Sequence, residues 1–197
     1  MRLRVAAFAV LCIATSGSAA EAHDIVEGVG GFQGGFLHPL LVPAQALTLL
    51  AFGLMTGQQA KPSRMLLSAL FPAALIAGIA LIVAAYSLTI AQTALLACAA
   101  AAGLLTALAQ PLLRIVPAVI LGAGALSLIF DSVPSVISRL DTIVALCGTA
   151  LSAALAVGLI AFGASCLTRD WQQIGVRILG SWTAASAILV LALRLAK

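Results

Sequence analysis

Residues 30–55 read GGFQGGFLHPLLVPAQALTLLAFGLM, a glycine- and phenylalanine-rich lead that passes through one histidine and two prolines into an apolar run without a charge. Such a run, about the length that crosses a hydrocarbon core, reads as the first of several membrane helices. His38 stands directly before Pro39. The pair predicts an extended His38 and a helix opening at Pro39, where the missing amide hydrogen costs nothing. Pro43, a turn further in, removes another backbone bond and predicts a kink or a broken first turn with carbonyls facing a bundle. Gln45, seven residues after His38, comes round to roughly the same face.

The rest of the chain repeats the pattern. Hydrophobic residues make up 63% of the sequence and charged residues 8%, too little polarity to cover a soluble fold. The expected fold class is all-α, a polytopic membrane helix bundle with six transmembrane helices at about residues 36–56, 65–86, 91–109, 112–130, 142–166 and 174–195. Gln110 and Pro111 divide the third span from the fourth, as a tight turn between antiparallel helices would. Gly53 with Gly57, Ala74 with Gly78 and Ala99 with Gly103 are spaced for close helix contact in lipid.

The first residues differ. Arg2 and Arg4, then VAAFAVLCIA, then TSGSAAEA with Ala20 and Ala22 in an Ala-x-Ala pattern, have the form of a secretory signal peptide. The domain reading is a cleavable signal at residues 1–22 and a six-helix transmembrane domain at 23–197; an uncleaved first helix is the other reading. Cleavage would make His23 the mature N-terminus. The chain would then lie in a bacterial inner membrane with a periplasmic N-terminus. Inside loops would hold Lys61, Arg64, Arg114, Arg169 and Arg177, while Arg139, Arg194, Lys197 and the acids Asp24, Glu27, Asp131 and Asp141 would fall outside. Trp171 would anchor an inner boundary.

The net charge of +4 does not point to nucleic acid, because the cations are scattered singly at helix ends. Cys98, Cys147 and Cys166 lack Cys-x-x-Cys spacing and are expected to be small core residues, not a disulfide framework or a zinc site. There is no Gly-x-x-x-x-Gly-Lys loop, no Gly-x-Ser-x-Gly elbow and no His-Glu-x-x-His, so the chain is not expected to be an enzyme.

His38 has two readings, an interfacial imidazole bonded to backbone or water, or one ligand of a metal or proton site. One imidazole is not a site. A mature N-terminal His23 would offer both its amine and its ring, with Asp24 beside it, and the glycines of EGVGGFQGGF would let that arm fold back over His38. Otherwise His23 merely follows a cleavage site.

His23, the stretch GGFQGGFLHPL and the following ALTLLAFGLMTG resemble the start of the HupE/UreJ family, hydrogenase and urease accessory membrane proteins. The closing RILGSWTAASAILVLAL is also similar. The family is regarded as nickel or cobalt permeases. The resemblance therefore implies a secondary permease with no resident cofactor and a nickel or cobalt ion as cargo. His38 and Pro39 match the family's His-Pro, but its Gly-x-Asp-His becomes Val42, Pro43, Ala44 and Gln45. In its second motif, Phe-His-Gly-x-Ala-His-Gly-x-Glu, Phe130 is matched while Asp131 and Ser132 stand in place of His and Gly. The surviving metal ligands are His23, Asp24, His38 and Asp131, all expected near the outer face.

Three functions follow from this. The first is a nickel or cobalt permease with an outer-face site. The second is a non-transporting accessory or scaffold protein of the same fold, whose partner is a membrane or periplasmic protein. The third is a carrier of small neutral or organic solutes that uses the kinked first helix and is lined by Gln45, Thr48 and Gln110.

Overall fold

Val42 is extended, at φ −81° and ψ 112°, and the chain breaks there. The computed structural model describes residues 31–109, 113–134 and 138–196, and all regular structure in them is helical. Helix α1 (Gly31–Leu41) meets α2 (Pro43–Gly57) at a bend of 72°. The pre-proline preference for extended backbone thus acts at Val42, not at His38. His38 lies in the last turn of α1, which runs through Pro39, so the expected helix start at Pro39 is corrected to Gly31.

An internal proline deprives the carbonyl four residues earlier of its donor. Here that carbonyl belongs to Gly35, and Thr149 Oγ1 donates to it at 2.9 Å. The orphan created by Pro39 is satisfied across a helix interface, which lets α1 continue.

The remaining helices are α3 (Lys61–Val83), α4 (Ala91–Leu108), α5 (Ile115–Asp131), α6 (Arg139–Cys166) and α7 (Asp170–Leu195). Proline opens α2 and α3. Ser138 caps α6 through the amide of Asp141 at 3.2 Å, and α4 closes on a left-handed Ala109 at φ 49°. Four helices, α3, α4, α6 and α7, are long and apolar enough to cross a membrane. The bent pair α1 and α2 makes a fifth crossing if it is one span. With 17 residues α5 is apolar but about 26 Å long, somewhat short of a typical core of about 30 Å. The fourth span of the sequence reading is therefore a shorter helix.

The packing is set by small residues. A side chain on Gly35 would run into the backbone of Ala145, and one on Gly148 into the backbone of Phe32, so α1 and α6 interlock backbone to backbone. Gly53 and Gly57 receive Ile160 and Ala164 of α6, Gly78 receives Ile129, and Gly103 faces Gly180 and Thr183 of α7. The small-residue spacings thus serve contacts within the chain.

Helix α2 lies in the middle, touching every other helix. Its Phe52 rests against Gly124 of α5 and meets Phe71 edge to face, with ring centres 5.9 Å apart. Outward faces are apolar, as the stripe Leu151, Leu155, Leu159 and Phe162 on α6 shows. Cys147 and Cys166 also lie on the exposed surface and only Cys98 is partly buried, which corrects their expected place in the core. Alternate helix ends gather at two poles. One has α1, the starts of α2, α4 and α6 and the ends of α3, α5 and α7; the other has the ends of α2, α4 and α6 and the starts of α3, α5 and α7.

Candidate functional site

At the first pole the break between α1 and α2 opens onto the end of α5. Gln45 lies in the first turn of α2 and is fully buried. Asp131 is the last residue of α5, half-buried, and buried Ser132 follows it. Gln45 Nε2 donates to Asp131 Oδ2 at 2.9 Å and to Ser132 Oγ at 3.1 Å. It also lies 3.5 Å from His38 Nε2.

An amide nitrogen has two hydrogens for these three neighbours, so the two short contacts take them and the histidine contact is marginal. Ser132 spends its own proton on the Leu128 carbonyl at 2.7 Å. Among the described residues Gln45 Oε1 is then left with one long contact, 3.4 Å from Ser132 Oγ. A buried amide oxygen short of a donor is an available ligand.

Asp131 ends its own helix, where the macrodipole disfavours a carboxylate, but it meets the first turn of α2, where the exposed amide end favours one. The arrangement holds a carboxylate, an imidazole, an amide and a hydroxyl around one spot. Among the described residues no three His, Cys, Asp or Glu side chains gather into a metal-binding group.

Of the four candidate ligands, the fold brings His38 and Asp131 into one cluster, bridged by Gln45. His23, Asp24 and the signal peptide lie outside the described residues. Ser132 was legible only as a departure from a motif, whereas Gln45 was legible as a departure from the other motif and as a polar residue on the His38 face of the first span. Their partnership across 87 positions had no local signal. Further in, Thr48, Ser127 and Thr149 bond to backbone carbonyls, whereas the buried hydroxyls of Thr56 and Ser152 have no partner among the described residues.

An all-helical bundle with apolar outer faces, a broken central helix and a buried polar cluster at one pole defines a multi-pass membrane protein. The family described as HupE / UreJ protein matches residues 10–190, and the chain belongs to that family. Neither a curated protein nor a solved structure matches it.

Proposed function

We propose that this HupE/UreJ family protein is a secondary permease for nickel or cobalt that first takes the ion at the α2/α5 pole. The observation that carries this reading is the convergence of His38, Gln45, Asp131 and Ser132, contributed by the two stretches the family motifs occupy. A divalent ion entering a low-dielectric bundle must trade its water for ligands. Here Asp131 supplies charge, His38 a nitrogen donor, and the under-satisfied Gln45 oxygen a neutral ligand once the amide turns about its terminal bond. His23 and Asp24, at an N-terminus freed by signal cleavage, would complete the set.

In this reading the α1–α2 pair forms one broken crossing and α5 a short one, which gives six. The polar pole then faces the periplasm, and the pole carrying Lys61, Arg64, Arg114, Arg169 and Arg177 faces the cytoplasm of a bacterial inner membrane. The protein performs no covalent chemistry and keeps no resident cofactor.

A specific observation favours the second reading, an accessory protein that does not transport. Beyond the cluster, the buried polar groups of α2 and its neighbours are hydroxyls, weak ligands for a transition metal. Reconstitution into vesicles loaded with a metal-sensitive dye separates the two. Nickel or cobalt influx abolished by Asp131→Asn supports the permease; saturable binding without influx assigns the accessory role, and neither binding nor influx rejects both.

A further inference from the structure

The opposite pole carries a second site. There α4 ends beside the second turn of α7, and the last carbonyls of a helix lack intrahelical donors. Arg177 Nε donates to one of them, the Ala107 oxygen, at 2.9 Å. This fixes the guanidinium and places a positive charge at the negative end of α4. The bond uses one of five N–H donors, which leaves the terminal nitrogens for a planar, bidentate acceptor.

Those nitrogens belong to an open groove of ≈ 280 Å³ lined by Ala107, Ile174, Arg177, Ile178 and Ser181. Ile174 and Ile178 are exposed on the apolar outer surface of α7, so the groove opens sideways, towards lipid. Trp171, exposed about a turn and a half nearer the helix start, lies at the depth of an interfacial anchor. Lys61, Arg64, Arg114 and Arg169 occupy helix starts at the same pole, where Asp170 is the one acid among the described residues.

We propose that this groove binds the headgroup of an anionic phospholipid, with Arg177 holding the phosphodiester and Ile174 and Ile178 flanking the first carbons of an acyl chain. A fixed guanidinium suits the phosphodiester oxygens, the apolar walls suit a lipid and not a free anion, and the surrounding cations favour net negative charge. The site is independent of metal transport.

Native mass spectrometry of the delipidated full chain, titrated with phosphatidylglycerol or phosphatidylcholine, tests it. The expected result is a saturable phosphatidylglycerol adduct, at least about tenfold weaker with phosphatidylcholine and with either Arg177→Gln or Ser181→Trp. The tryptophan fills the groove while leaving the Arg177–Ala107 bond in place, so it decides alone if Arg177→Gln does not fold. Equal adducts in the wild type and Ser181→Trp overturn the proposal, as does equal retention of the two lipids. Inorganic phosphate that competes the adduct away at millimolar concentration assigns a plain anion site and overturns the lipid.

Discussion

Gln45 and Asp131, 86 positions apart, are joined by a 2.9 Å hydrogen bond that ties the broken helix α2 to the end of α5. The bond matters for stability as well as for ligand chemistry. It supplies a half-buried carboxylate with a donor and pins the N-terminal turn of the central helix.

Removing one partner costs more than removing both. Gln45→Leu leaves Asp131 without its amide donor and is expected to lower stability by about 1–3 kcal/mol, while Gln45→Leu with Asp131→Leu recovers most of that loss. Thermal unfolding in detergent of the two single variants and the double variant gives the coupling. Strict additivity would show that the bond contributes nothing.

Gln45→His restores an imidazole to the spot between His38 and Asp131. Two imidazoles and a carboxylate form a real transition-metal set, so nickel or cobalt affinity should rise by at least about tenfold over wild type, read by calorimetric titration. An unchanged affinity would mean that the three positions do not share one ion.

Thr149→Val keeps the shape of the side chain and deletes the donor to the Gly35 carbonyl. The expected loss is about 1–3 kcal/mol, because the carbonyl freed by Pro39 is then left unpaired at a buried interface. Thermal unfolding checks the value, and Pro39→Ala in the same background should return part of it by giving Gly35 a helical donor again.

Two glycine substitutions should move in opposite directions. Gly35→Ala forces a methyl into the backbone of Ala145 and should cost about 1–3 kcal/mol or more, whereas Gly158 has open space around it. Gly158→Ala should be neutral or stabilising by up to about 1 kcal/mol through helix propensity. Melting temperatures of the pair, measured side by side, test whether the α1–α6 interlock is as close as described.

The helical class was open to reading from apolar runs of about the length that crosses a hydrocarbon core, because in a bilayer every backbone group must be satisfied within its own segment. The helix boundaries of α4 and α7 fell within a few residues of the expected spans. The first helix did not. His38-Pro39 and Val42-Pro43 carry the same local preference, yet the chain stays helical through the first, where the Thr149 hydroxyl satisfies the Gly35 carbonyl from another helix, and breaks at the second. Cys147 and Cys166 failed for a related reason, since a small residue inside a membrane helix carries no mark of which face meets lipid.

By itself the sequence determined that this chain is a helical membrane protein with its polarity confined to helix ends and a few interior residues. It also placed His38 and Asp131 among the residues with ligand chemistry. Tertiary structure decided that His38, Gln45, Asp131 and Ser132 form one cluster, and that Arg177 is held by the end of α4. The reason is physical. Helix formation depends on neighbours within four residues, whereas the meeting of two helix ends depends on which small residues let the backbones between them close.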